Sequence, residues 1–229
     1  MGFLSILSFA HLLVKERVHP GDIAIDATLG NGNDTLLLCR LVNGSGSTRI
    51  AAPLSGTFAG SSSSSAAIPS PFAHRSPSTR RGHVFGFDVQ PAALAKTRAK
   101  LLEEGVVPDD CFTLFEASHA DMTSYVPSYA VGSVAAVMFN LGYLPGGDQS
   151  LVTTPETTLS ALESSLTLLR PGGIVTVVVY PGHPGGEQEA SAVHEWASQL
   201  PQDRYQTLSY RFLNPRNAPP YLIAVHKRT

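Results

Sequence analysis

Apolar positions along this chain change period several times, and each change marks an element. Leu4, Leu7, His11, Leu12 and Lys15 fall at helical spacing, which predicts an amphipathic first helix over residues 3–17. Gly21-Asp22 ends it, and the β-branched apolar run Ile23-Ala24-Ile25-Asp26 suits a buried parallel strand. A second helix follows from Asp34 to Leu41, with Leu36, Leu37, Leu38 and Leu41 on its buried side. His83-Val84-Phe85-Gly86-Phe87-Asp88 is the next strand, and Pro91 to Glu104 the next helix, with Pro91 in its first turn and Gly105 just past its end. Phe112 to Phe115 and Val134 to Phe139 are two more strands. Thr157 to Leu169 is helical, Pro171-Gly172-Gly173 breaks it, and Ile174 to Val179 is the plainest buried strand of the chain. Glu187 to Leu200 gives a last helix, and Tyr205 to Phe212 and Tyr221 to His226 two closing strands around a turn from Asn214 to Pro220.

One stretch has no period. From about residue 43 to 82 the chain turns to Ser, Ala, Pro and Gly, including the run Ser61 to Ser65, which predicts a disordered insertion because nothing there can form a packed face. Outside it, strands and helices alternate and then finish in a strand pair. That order predicts an α/β fold, a doubly wound Rossmann-like sheet that is mainly parallel with an antiparallel C-terminal strand pair, as in class I methyltransferases. At 229 residues the chain fits one such domain spanning residues 1–229 and interrupted by the insertion.

Composition narrows the function classes. A formal net charge of -2 excludes a protein that holds nucleic acid by bulk charge alone, so any RNA contact is local. Two basic stretches stand out: Arg49, Arg75, Arg80 and Arg81 within the insertion, and Arg204, Arg211, Arg216, Lys227 and Arg228 in the tail, neither with a neighbouring run of acids. Either is also read as ordinary solvated surface. Cys39 and Cys111 sit in apolar runs without a CxxC pair, which speaks against a disulfide framework or a metal site. No apolar run approaches the roughly 18 residues that cross a bilayer, so no membrane partner is expected. The start, Met1 to Ile6, has Ile6 where a myristoylation signal wants Ser or Thr, and lacks the basic region and cleavage site of a secretory signal.

The candidate cofactor loop follows the first strand as Asp26-Ala27-Thr28-Leu29-Gly30-Asn31-Gly32-Asn33-Asp34-Thr35. In an open parallel sheet, ligands bind beyond the carboxyl ends of the strands, where glycines such as Gly30 and Gly32 let the backbone turn sharply and approach a nucleotide closely. Asp26 at the strand end orders that loop or binds the amino-acid end of the cofactor through water. A second acid is expected about 20 residues further on to accept from ribose hydroxyls. Asp88 lies 62 positions after Asp26, but only 22 once the 40 residues of the insertion are removed. Gln90 lies beside it, and Ser118-His119-Ala120-Asp121 falls where an adenine would lie, with His119 also readable as a surface loop residue. Nicotinamide enzymes carry similar loops. Here Thr35 stands at the third glycine of their pattern, and with the closing strand pair this favours S-adenosyl-L-methionine as the cofactor.

Chemistry is expected after the fourth strand, at Asn140-Leu141-Gly142-Tyr143-Leu144-Pro145-Gly146-Gly147-Asp148. This stretch resembles the Asn/Asp-Pro-Pro-Tyr element of amino-group methyltransferases. Methyl transfer is an in-line displacement at a sulfonium carbon, so the protein must chiefly hold an amine lone pair along the line of the leaving sulfur. Asn140 Oδ1 and the Leu141 carbonyl are candidate acceptors of amine hydrogens, and Tyr143 a candidate stacking wall. Asp148 and His183 are the alternative proton acceptors. A Gly/Pro-rich turn with Asn140 as a turn residue is the competing structural reading. His183 belongs to Tyr180-Pro181-Gly182-His183-Pro184-Gly185-Gly186-Glu187, on the same rim, with Glu187 readable as a helix cap. Arg211, Asn214, Arg216 and Asn217 in the basic tail, with Leu141, Gly142 and Tyr143, are the candidate substrate and RNA contacts.

With these motifs and Phe87-Asp88-Val89-Gln90, Tyr180 to His183 and Asn214 to Pro220, the chain resembles the MnmM/YtqB methyltransferases over nearly its whole length apart from the insertion. The Asn140-to-Asp148 and Tyr180-to-His183 strings are far more specific to that group than the glycine loop. The resemblance implies methylation of the exocyclic amine of 5-aminomethyl-2-thiouridine or 5-aminomethyluridine at the tRNA wobble position, with the tRNA anticodon region as partner. The same family has carried an rRNA methylase label, and Asn33 replaces a frequent histidine. Methylation of a small-molecule amine and a noncatalytic RNA-binding subunit with a retained pocket are the competing functions. A homodimer is left open. The insertion gives the chain a eukaryotic look, which implies plastid or mitochondrion; a bacterial source implies cytoplasm.

Overall fold

A computed structural model describes residues 2–44, 82–106, 111–142, 153–215 and 218–229. Their elements run α1 (Ile6–Lys15), β1 (Ile23–Asp26), α2 (Asn33–Asn43), β2 (His83–Asp88), α3 (Pro91–Glu103), β3 (Phe112–Glu116), α4 (Met122–Tyr125), β4 (Val134–Asn140), α5 (Pro155–Leu168), β5 (Leu169–Val179), α6 (Gly186–Gln199), β6 (Tyr205–Tyr210) and β7 (Tyr221–Lys227). The seven strands form one sheet in the order β3-β2-β1-β4-β5-β7-β6. β1 to β5 are mutually parallel, while β7 lies antiparallel to both β5 and β6. The order reverses between β1 and β4, so the switch point, where ligands bind in such sheets, lies beyond Asp26 and Asn140.

The central strands are buried on both faces, and the two-residue period of the pleat divides their side chains between two cores. Ile25, Phe85, Phe87, Val137, Phe139, Val175 and Val177 face α5 and α6, where Leu162 and Val193 meet them. Ala24, Val84, Ala136, Met138 and Ile174 face the other way, onto Val14 of α1, Leu38 of α2 and Leu101 of α3. Continuous apolar runs such as Val134 to Phe139 follow directly from this two-sided burial.

Helix ends follow their local chemistry. Ser5 caps α1 by accepting from the Ser8 amide at 3.2 Å, which trims the expected helix start from residue 3. Thr154 and Thr157 make a reciprocal capping box, with Pro155 in the first turn, so α5 begins two residues before Thr157. Pro171-Gly172-Gly173 does not divide helix from strand as the sequence suggested. α5 already ends at Leu168, and Leu169 pairs with Val134 before the chain bulges and resumes pairing at Ile174 with Ala136. The short turn of α4 and the 3-10 turns at His119–Asp121 and Ser128–Ala130 had no counterpart in the periodicity. β6 ends at Tyr210, two residues short of the expectation.

The expected insertion at 43–82 lies almost entirely outside the described residues, except at its edges. Asn43 completes α2, and a Cβ on Gly82 would stand 2.4 Å from the Val42 carbonyl oxygen, so the two flanks touch. The sheet therefore keeps the register of an uninterrupted β1-α2-β2 unit, which is what brings Asp88 beside the β1 loop. Among the described residues, no helix is long and apolar enough to cross a membrane.

Candidate active site

Beyond the strand ends at the switch point lies a cavity of about 1010 Å³. Its floor is the β1–α2 turn, which takes its shape from two carboxylates. Asp26 is fully buried, accepts from Thr28 N at 3.2 Å and from Thr35 Oγ1 at 2.6 Å, and holds the turn from behind. Burial, then the nearby Asp34 carboxylate, push its carboxyl up to about 7 against the lowering effect of those two bonds. Asp88 accepts from Gly30 N at 3.1 Å and Gln90 N at 3.0 Å, tying the β2 end to the glycine turn. Burial raises its pKa despite those backbone bonds.

Two glycines shape this floor. Gly32 caps α2 with φ of 73°, and a Cβ there would sit 2.9 Å from the Thr97 Cα. A Cβ on Gly86 would meet Leu29 Cδ2 at 2.4 Å, so the bare β2 backbone makes room for the leucine of the turn.

Thr28, Gly30, Asn31, Asn33 and Asp34 line the cavity, as do Asp88, Gln90, Ser118 and His119. Asp26, Gly32 and Thr35 support the turn without lining it. His119 is buried, edge-on to Phe139, and its Nδ1 lies 3.2 Å from the Ala27 carbonyl. A carbonyl only accepts, so Nδ1 carries the proton, and Nε2 is left as a buried acceptor with no partner among the described residues. Burial lowers the ring's pKa, which keeps it in that neutral form. The floor thus offers a carboxylate for ribose hydroxyls and an unpartnered acceptor suited to an exocyclic amine. Both fit the adenosine half of S-adenosylmethionine.

The opposite wall begins at Asn140, the last residue of β4. Its amide N donates to Thr28 Oγ1 at 2.7 Å, its Nδ2 donates to Asp34 Oδ2, and its Oδ1 has no partner among the described residues. Leu141 and Gly142 continue the wall. Gly142 has φ of 115°, and a Cβ there would lie 3.4 Å from His183 Nε2. His183, from the loop after β5, thus packs against the β4 loop, with its Nδ1 bonded to the Pro184 carbonyl at 2.9 Å.

Several residues of the wall were not anticipated. His11 of α1 lines the cavity and bonds through Nε2 to Asp34 Oδ1 at 2.6 Å. Its only sequence signal was a polar residue on the apolar stripe of a helix. Tyr180, from the loop after β5 that was expected on this rim, also lines the cavity, with burial and then the Asp34 charge raising its phenol's pKa. Thr153 accepts from Gly142 N at 2.9 Å and donates to Glu189 Oε2 at 2.8 Å, while Thr158 donates to Glu189 Oε1 at 2.6 Å. Glu189 is buried in α6 and pins the base of the β4 loop from beneath. Arg211 and Asn214 are exposed and do not line the cavity. Tyr143, Asp148, Arg216 and Asn217 lie outside the described residues, and among the described ones no group of His, Cys, Asp or Glu is placed to hold a metal.

Comparison with known proteins bears on this geometry. The family described as "Putative rRNA methylase" matches residues 84–226. A chloroplastic tRNA (mnm(5)s(2)U34)-methyltransferase of Arabidopsis thaliana is 35% identical over 221 residues, which is 96% of this chain and 68% of that protein. The crystal structure of a "putative rRNA-methylase" from Clostridium thermocellum is 35% identical, with a TM-score of 0.78 over 99% of this chain and all of that one. A "putative methyltransferase" from Streptococcus mutans, crystallised in complex with SAH, is 29% identical, with a TM-score of 0.74 over 99% of each chain.

Proposed function

The chain belongs to the rRNA methylase family so described and is an S-adenosylmethionine-dependent methyltransferase, and from that premise we propose that it methylates the exocyclic amine of 5-aminomethyl(-2-thio)uridine at the wobble position of tRNA. The observation that carries the reading is Asn140. Nδ2 donates to Asp34 and the backbone amide to Thr28, while the acceptor Oδ1 has no partner among the described residues. An acceptor at the cavity wall suits a nucleophile that carries N–H. The cavity, about 1010 Å³, lies at the upper end of small-molecule sites and leaves room for a nucleoside beside the cofactor.

The cofactor supplies an electrophilic methyl group on a sulfonium. Asn140 Oδ1 and the Leu141 carbonyl accept the amine hydrogens, leaving the nitrogen lone pair along the line of the breaking carbon–sulfur bond. S-adenosylmethionine bound there would supply the methyl carbon for the new nitrogen–carbon bond, and its sulfur would keep the electron pair of the carbon–sulfur bond. The surplus amine proton leaves toward the β5 loop, where His183 lies against Gly142. Asp88 takes the ribose, His119 the adenine, and the exposed Arg211 and Asn214 meet the RNA outside the cavity. The Arabidopsis relative's name supports tRNA and a plastid location; the family description favours rRNA instead. Incubation with labelled donor and either tRNA lacking the terminal methyl or unmodified rRNA decides between them. Label in the wobble nucleoside is expected; label in rRNA alone, or in neither, overturns the proposal.

A further inference from the structure

An asparagine side chain is nearly symmetric in shape, so Asn140 would serve a hydrogen-bond donor or an acceptor equally well unless something fixed the amide. Asp34, in the first turn of α2, lies against it with its side chain only 8% exposed. Its Oδ2 accepts from Asn140 Nδ2, and its Oδ1 is held by His11 Nε2 at 2.6 Å. Turning the Asn140 amide over would set Oδ1 against a carboxylate, two acceptors face to face, and would present an NH2 group to the cavity. His11 comes from α1, whose apolar side packs on the sheet through Ile6, Ala10 and Val14, so its reach to Asp34 is fixed by the fold.

From this chain of contacts we infer that Asp34 is a positioning residue that locks the Asn140 amide with Oδ1 toward the acceptor substrate, and that His11 holds Asp34 for that purpose. The consequence is selectivity: the pocket admits a nucleophile bearing N–H and disfavours one that can only accept. The functional half of this inference rests on the proposed amine methylation, whereas the structural half does not.

The test has a spectroscopic and a kinetic arm, both on the full chain. In 1H–15N spectra, the Asn140 side-chain NH2 pair, assigned by its loss in Asn140→Asp, is expected downfield in the wild type and upfield in Asp34→Leu. Asp34→Asn keeps one oxygen for Asn140 and turns its own NH2 toward His11, so it is expected to hold the wild-type position more closely. In single-turnover transfer to tRNA, Asp34→Leu is expected to lose about ten- to a hundredfold, with Asp34→Asn recovering much of the loss. His11→Ala is expected to lose less, and His11→Gln, which keeps a donor, to recover it. SAH affinity by calorimetry is expected to change little in each.

An Asn140 signal unmoved in a folded Asp34→Leu protein overturns the inference. So does a loss of SAH affinity as large as the loss of transfer, which would make Asp34 a cofactor ligand. If the signal moves as expected while the wild type labels no tRNA, the amide lock stands and the proposed substrate falls.

Discussion

The floor of the cavity is held by backbone amides donating to the carboxylates of Asp26 and Asp88, whereas the opposite wall is held by side chains arriving from α1, α2 and α6. On the floor, Thr28 N, Gly30 N and Gln90 N converge on two acids a strand apart, all within the β1-α2-β2 unit. On the wall, Asn140 depends on Asp34 and His11, and Gly142 on Thr153 and Glu189, across sequence separations of 106 residues for the first pair and 36 for the last. A turn that fixes itself can be kept with any acceptor chemistry. A wall assembled from distant side chains can be rebuilt for a new substrate without disturbing the cofactor, and this is where substrate choice is expected to reside.

The sharpest way to separate the two regions is Asn140→Ala. It removes the acceptor from the wall while leaving Asp88, Gly30 and His119 in place, so transfer should fall by about 10²-fold or more with SAH affinity nearly unchanged. Stopped-flow or quench measurement of a single turnover, paired with calorimetry, checks both halves. Equal loss in the two would mean that Asn140 belongs to the floor.

The reverse experiment is Asp88→Ala. It strips the floor of the proposed ribose acceptor and frees the Gly30 and Gln90 amides, so SAH affinity should drop by about tenfold to a hundredfold. Transfer at saturating cofactor should recover most of its rate. An unchanged dissociation constant would break the assignment of Asp88 to the cofactor.

A smaller effect is expected beneath the wall. Glu189→Leu leaves Thr153 and Thr158 without their buried acceptor, which should cost about 1–3 kcal/mol of stability in urea denaturation. Loosening the base of the β4 loop should raise KM for RNA more than it changes the affinity for SAH. A protein as stable as the wild type would show that the threonines find other partners.

The floor was legible in the sequence because its signals are local. β1 is a β-branched run, Gly30 and Gly32 follow it, and Asp88 falls into register once the aperiodic stretch is set aside, a step the contact of Gly82 with Val42 explains. The wall was legible only at Asn140, Leu141, Gly142, Tyr180 and His183, where a motif stood in one piece. His11 looked like one more residue of a helical stripe, and Glu189 carried no signal of its own, because neither has its partner within reach along the chain. Short elements were missed for a related reason: α4, at four residues, is a single turn and has no period to read. Leu169 pairs ahead of Pro171-Gly172-Gly173 because a bulge carries those residues out of the ladder, which composition alone reads as a break.

The least change in transfer is expected at Asp26, which shapes the floor from behind. Its carboxyl titrates near 7 in the folded protein against an ordinary value of 3.8, chiefly because ionising it costs burial and places it near Asp34. The folded state therefore binds more protons than the unfolded state between those values. The stability this group contributes is fully present below pH 3.8 and is lost as pH rises toward about 7. Asp26→Asn keeps an oxygen for Thr28 N and an NH2 for Thr35 Oγ1, and it cannot ionise. Its stability should exceed that of the wild type above pH 7, and the two should converge toward pH 4. The difference between their unfolding free energies, from urea denaturation, should grow across that window with a slope of no more than about 1.4 kcal/mol per pH unit, the limit for a single proton. A constant difference would mean that Asp26 is ionised throughout, and that the floor is held by charge rather than by a neutral acid and its two hydrogen bonds.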